Sequence, residues 1–213
     1  MMRLHKIVLP LLLLLLCMCT TSAHAAERMK VGFMMDFVTG VTIPIGDSDY
    51  KNFADASFKM GLRLGAVLYI TDRFAIAPEG EFDFIVLEPD KTDFPNLSGT
   101  VNVNTGIYRE RGLFGARYVI NFGIGSFYLR TLLGVDHIGG TTSASIGGFG
   151  GSTTFSSTGF ALEPGAGVQF NVVRHLVVGF TTGFPIAFHD FGNNSRKFTS
   201  VDVDFLGVIG LRL

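Results

Sequence analysis

Residues 57–84 read SFKMGLRLGAVLYITDRFAIAPEGEFDF, and their alternation decides the fold. Phe58, Met60, Leu62, Leu64, Ala66, Leu68 and Ile70 fall on one face, with Lys59, Gly61, Arg63, Gly65, Val67 and Tyr69 on the other. Thr71-Asp72-Arg73 is a polar turn,. Beyond it Phe74, Ile76, Pro78, Gly80, Phe82 and Phe84 continue the first face, and Ala75, Ala77, Glu79, Glu81 and Asp83 the second. A period of two over both segments predicts two antiparallel strands. Pairing 70 with 74 sets Arg63 opposite Glu81, with Glu79 and Asp83 on the diagonals,. Charge therefore faces charge, and the apolar rows face away from it. The chain offers no helix or second sheet to cover those rows, so lipid must cover them.

The chain has 213 residues, 47% hydrophobic and 16% charged, with 27 Gly, 21 Phe and no Trp. That is one domain's worth of chain. Arg3 and Lys6 precede an apolar run centred on 11–16, and Ala23-His24-Ala25 offers the small residues of a cleavage site. This predicts a secretory signal at 1–25, cleaved after Ala25, and a mature domain at 26–213. Cys17 and Cys19 both lie in the signal, so the mature chain has no disulfides, and Leu16 and Met18 before them argue against lipidation,. Cleavage removes two of the 17 basic residues and none of the 18 acidic ones, leaving a net charge of −3 and no basic excess to suggest a nucleic-acid partner,.

After the signal no apolar run is long enough for a transmembrane helix, so only a closed barrel can pair every backbone group within a bilayer. Besides the opening hairpin, the alternation predicts strands at 29–38, 107–121, 126–137, 158–172, 176–188 and 200–213. Val31, Phe33 and Phe37 oppose Asp36; Phe114 and Tyr118 oppose Arg111 and Arg117; Leu129 and Leu133 oppose Arg130 and Asp136. Phe160 and Phe170 oppose Glu163; Phe205 and Ile209 oppose Asp202, Asp204 and Arg212. The expected fold is all-β: an eight-stranded antiparallel up-and-down transmembrane β-barrel. Short turns at 71–73, 122–125 and 173–175 alternate with long connections near 39–52, 87–106, 138–157 and 189–199, which places short turns on one rim and long loops on the other,. The low-complexity Gly/Ser/Thr run 138–157 reads as a flexible outer loop,.

The signal, the Thr71-Asp72-Arg73 turn followed by Pro78-Glu79-Gly80-Glu81-Phe82, the Gly165-Ala166-Gly167-Val168 stretch and the terminal strand together give a resemblance. The whole mature chain resembles the small porin-like outer-membrane β-barrel family, eight-stranded proteins related in architecture to the membrane domain of OmpA. The resemblance implies residence in the outer membrane of a Gram-negative-type envelope. It also implies outer-membrane lipid around a monomeric barrel, and recognition of Val201 to Leu213 by the barrel-assembly machinery. Barrels of that family usually end in an aromatic residue; here the last residue is Leu213, and Gly207 lies one place from the family's glycine.

The inward charges Lys59, Arg63, Glu79, Glu81, Asp83, Arg117, Arg130, Asp136 and Glu163 form the candidate site. Eight strands enclose a space that side chains fill, so a mutually neutralising plug is expected in place of a catalytic cluster or a pore. His137 and His189 read as solvated residues of the outer rim and His175 as part of a short turn. A metal site built from Asp136, His137, His189 and Asp190 lacks ligand-like spacing,. No His-x-Ser pair of the lipid A deacylase kind, nucleophilic triad, phosphate loop or Cys/His pattern is present, and no cofactor is expected,. The expected function is a non-enzymatic structural or surface-interaction scaffold, with loop residues such as Asp47, Asp49, Tyr50, Phe94 and Phe149 as contacts for an extracellular partner,. The alternatives are a narrow porin-like channel for ions or small solutes, and a soluble secreted ligand-binding barrel.

Overall fold

Two-residue alternation with one apolar row builds strands whose greasy faces all turn the same way, and here they close on themselves. The computed structural model describes residues 30–46, 56–87, 101–146, 149–190 and 197–213. The expected signal and the candidate contacts Asp47, Asp49, Tyr50 and Phe94 lie outside these. The strands are β1 (Lys30–Pro44), β2 (Ser57–Tyr69), β3 (Phe74–Leu87), β4 (Val101–Asn121), β5 (Gly125–Ile146), β6 (Phe149–Val173), β7 (Leu176–Gly183), β8 (Ile186–Asp190) and β9 (Lys197–Arg212). Each pairs antiparallel with its neighbour, and β9 returns to β1, with Met34 opposite Arg212 and Pro44 opposite Asp202.

β7 and β8 are one stave, since both lie between β6 and β9. The ring therefore has eight staves. The single strand expected over 176–188 is interrupted because Pro185 has no N–H for the ladder. The join is held by Phe184 N donating to Pro164 O at 2.9 Å and Asp202 N donating to Pro185 O at 3.0 Å.

The opening hairpin has the expected register, with Arg63 opposite Glu81. Thr71 fixes its turn: the Thr71 hydroxyl oxygen accepts from the amides of Arg73 (3.2 Å) and Phe74 (3.0 Å). At the next short turn, Gly123 supplies a left-handed residue with φ of 84°,.

The described residues of the expected loop, 138–146 and 149–157, are instead regular sheet. β5 and β6 stay in register from Ile138 opposite Ser157 to Ile146 opposite Phe149, and β4 follows them up to Val101 opposite Ile146. Among the described residues β3 pairs with β4 as far as Leu87, opposite Ile107, and the other three strands continue past that point as a projecting sheet. Thr, Ser and Phe at alternating positions suit strands, and the backbone ladder needs no polarity contrast between faces. β1 likewise runs on to Pro44, beyond the expected end at Val38.

The outward rows are exposed and apolar, with Phe33 63% and Phe114 68% accessible. Among the described residues no helix is long and apolar enough to cross a membrane; the strands do the crossing. The interior has apolar layers at both ends of a charged middle. Ile85, Leu87, Ile107 and Ile138, backed by Phe155, close it toward the projecting sheet. Met34, Val67, Ala75 and Ala77, with Tyr69 and Val119, lie toward the short turns.

Candidate functional site: a charge network inside the barrel

Every inward position between the two apolar layers is set by strand parity, and the network is what those positions bring together. All nine residues singled out in the sequence point inward and are buried: Lys59, Arg63, Glu79, Glu81, Asp83, Arg117, Arg130, Asp136 and Glu163. Arg63 Nε donates to Glu81 Oε2 at 2.8 Å. Glu81 also accepts from Arg130, whose other guanidinium nitrogen reaches Glu163. Lys59 Nζ lies 2.6 Å from Asp83 Oδ2 and donates to Asp204 Oδ2 at 2.7 Å.

Toward the short turns, Arg117 bridges Asp36 at 2.9 Å and Glu79 at 2.5 Å, and stacks 4.3 Å over the centre of the Tyr128 ring. Arg212 adds a second contact to Asp36 at 2.5 Å and donates to Gln169 at 2.6 Å. Toward the projecting sheet, Arg109 Nε donates to Asp136 at 2.7 Å, Nη1 to Asp202 at 2.5 Å and Nη2 to Ser200 Oγ at 2.8 Å. Arg111 links this end to the middle through Glu163 at 3.4 Å and Asp204 at 3.3 Å.

The participants beyond the nine are Asp36, Arg109, Arg111, Asp202, Asp204, Arg212 and His189. Strand parity already put Asp36, Arg111, Asp202, Asp204 and Arg212 on the inner face. Arg109, two residues before Arg111, follows from the same rule. His189 is a correction: it is 2% exposed, with Nε2 3.5 Å from Asp136 Oδ1. Counting two by two along β8 from Ala187 turns it inward. The four metal candidates divide across the wall, since Asp136 and His189 are buried inside while Asp190 is exposed and His137 lies on the outward row of Val135.

Chemically, the arrangement binds its own charges. Glu81, Asp83 and Glu163 approach within 4.8 Å of one another, as ligands around a cation do. Lys59 Nζ occupies that role, 3.6 Å from Glu81, 3.7 Å from Glu163 and 2.6 Å from Asp83. Burying an ion costs several kcal/mol unless partners repay it, and here the cations of β2 and β4 stand among the carboxylates of β1, β3 and β6, with both signs on β5 and β9. A cavity of about 470 Å³, lined by Tyr69, Arg117, Gln169, Asn171 and Arg212 among others, opens at the short-turn end and stops at this network.

An apolar exterior, a closed ring of eight staves and an ion-paired interior define an outer-membrane barrel of the small, filled kind. The chain belongs to the outer membrane protein beta-barrel domain family, whose pattern it matches over residues 11–208. A soluble ligand-binding barrel, which has the opposite polarity, is thereby excluded. Among solved structures the chain is similar to the attachment invasion locus protein Ail of Yersinia pestis (17% identity, 86% of this chain and 97% of that one, TM-score 0.42). It is also similar to Neisserial surface protein A (13%, 87% and 99%, TM-score 0.43) and to a major outer membrane protein of Thermus thermophilus (10%, 86% and 100%, TM-score 0.49). No curated protein matches the chain.

Proposed function

We propose that this protein is a non-enzymatic surface-interaction scaffold. Residues 1–25 direct its export, the assembly machinery reads Val201 to Leu213, and a monomeric barrel holds its long connections outside the cell. The observation that carries this reading is the continuation of β4, β5 and β6 past the end of β3. The projecting sheet has no charged residue between Gly139 and Ser157, and among the described residues no strand pairs with Val101–Gly106 on the side away from β5. Uncharged ladder edges are templates for an added strand, which natural proteins otherwise blunt with charge or proline. The filled interior favours a support over a conduit.

Adhesion tests this. Cells displaying the protein are assayed on purified extracellular-matrix and serum proteins, beside cells whose barrel has 141–154 replaced by a two-residue turn. Adhesion that is lost on truncation, at equal barrel content in the outer membrane, is the expected result. Adhesion no greater than that of cells lacking the protein, or unaffected by truncation, overturns the reading. The cavity at the short-turn end favours a second reading, a narrow channel, which requires the network above it to part.

A further inference from the structure

Above the lipid-facing wall, β5 and β6 change character from one residue pair to the next. Val135 opposite Phe160 is the last apolar pair on their outward face, and both side chains are exposed. The outward pairs that follow are His137 with Thr158, Gly139 with Ser156, Thr141 with Thr154 and Ser143 with Ser152. Five of these six serines and threonines are exposed, and Ser143 is half-buried. At about 3.3 Å per residue, the rows rise roughly 13 Å along β5 from Gly139 to Ser143. The four arginines of β4, β5 and β6, Arg109, Arg111, Arg117 and Arg130, all turn inward, and these strands contain no lysine.

An aromatic ring stands at the foot of this face. Tyr108 on β4 is opposite Gly139, and a Cβ on Gly139 would fall within 3.1 Å of Tyr108 Oη, Cζ and Cε1. The ring therefore lies against the glycine, with 40% of the residue exposed. Gly106, the next outward residue of β4, is opposite Thr141, and a Cβ there would meet nothing within 4 Å. The surface is low over Gly106 and bounded by the Tyr108 ring and the Thr141–Thr154 pair. Glu110, one outward step nearer the lipid on β4, is opposite His137.

We propose that this face binds an uncharged hexopyranose oligosaccharide presented from outside the cell, which deepens the surface-interaction reading and rests on its placement of the sheet outside. A pyranose offers an apolar C–H face and a rim of hydroxyls. One ring lies over Gly106 with its C–H face toward the exposed side of Tyr108, an amphipathic aromatic. Its hydroxyls and those of the next sugar exchange hydrogen bonds with Thr141, Thr154 and Ser152, since a hydroxyl side chain both donates and accepts. A surface that faces only water ordinarily mixes in charges of both signs, and these rows carry none. The charge pattern also selects the occupant. Phosphate, sulfate or carboxylate groups on a sugar would meet Glu110 at the foot of the face and no lysine or arginine. That disfavours acidic glycans and the phosphorylated glycolipid of the surrounding leaflet, and leaves a neutral chain.

The test uses the full barrel, refolded in detergent micelles, on glass carrying neutral hexasaccharides of glucose, galactose, mannose and N-acetylglucosamine beside sialylated and sulfated glycans. Wild type is expected to bind a neutral series in preference to the acidic glycans. Thr141→Val/Thr154→Val keeps the side-chain shape and removes two hydroxyls, and should weaken that binding about tenfold, as the loss of two hydrogen bonds does. Tyr108→Ala, which removes the ring, should weaken it as well. Heat-shifted gel mobility confirms that each variant is folded, and if Tyr108→Ala does not fold, the threonine pair carries the test. No neutral series bound by wild type, acidic glycans bound better, or binding that survives loss of the threonine pair overturns the site. Displacement by lipopolysaccharide at lower concentration than by the free hexasaccharide would overturn it too, by giving the face to the protein's own membrane. Gly151→Cys, whose side chain enters open space, separates the site from the placement of the sheet. Labelling of intact cells by a membrane-impermeant maleimide, without glycan binding, overturns the glycan site alone, whereas absence of labelling overturns the placement and the site with it.

Discussion

The middle of the barrel and the sheet projecting from it are continuous strands held together by different forces. In the middle of the barrel Arg63, Arg130 and Lys59 all lean on the one carboxylate of Glu81. From Gly139 to Ser157 there is no charge at all, and the pairing of β5 with β6 continues by backbone hydrogen bonds between Gly, Ser and Thr. The contrast teaches that one region is specified by which side chains meet and the other by the ladder alone. Damage should therefore be severe and partner-specific in the first, slight and local in the second.

The largest effect is expected at Glu81. Its replacement by Leu strands Arg63 and deprives Arg130 of one of its carboxylates, and should cost roughly 3 to 5 kcal/mol in denaturant unfolding of the folded barrel. Arg63→Met should cost less, because Glu81 keeps Arg130. The double Arg63→Met/Glu81→Leu should recover much of the Glu81→Leu loss, though not all of it. Equal costs for the two single variants would show that Glu81 is not the shared hub.

A smaller effect belongs to the backbone. Gly123→Ala places a Cβ where nothing lies within 4 Å but φ is 84°, so it should lose about 1 kcal/mol. An unchanged unfolding midpoint would mean that the short-turn rim is not a rigid boundary of the plug. The smallest effect is expected for replacing 141–154 with a two-residue turn. The global unfolding free energy should then stay within about 0.5 kcal/mol, since the projecting sheet lies beyond the layer of Ile85, Leu87, Ile107 and Ile138. A loss comparable to that of Glu81→Leu would make the sheet part of the barrel's cooperative unit.

The same contrast explains what the sequence disclosed. Where lipid lies on one side and ions on the other, each strand alternates plainly, and Lys59, Arg63, Glu81 and Glu163 could be assigned inward from parity alone. The turn length at 71–73 then gave the register of Arg63 with Glu81. Residues 138–157 face no such contrast, so their alternation carried no signal, and glycine-rich composition read as loop. His189 is misplaced as a rim residue because the strand expected over 176–188 stops one residue before it, whereas the inward parity of Thr181, Gly183 and Ala187 continues unbroken through Pro185 to His189. The sharing of Glu81 among Arg63, Arg130 and Lys59 depends on contacts across the lumen, which strand-by-strand pairing does not contain.

The central claim is that this network fills the barrel and leaves it a support without a through-path. Single-channel recording of purified, refolded protein in planar lipid bilayers tests it most directly. Silence is expected from wild type at all holding potentials. Large, stable, ion-selective openings from wild type would contradict the account and establish the narrow channel in its place.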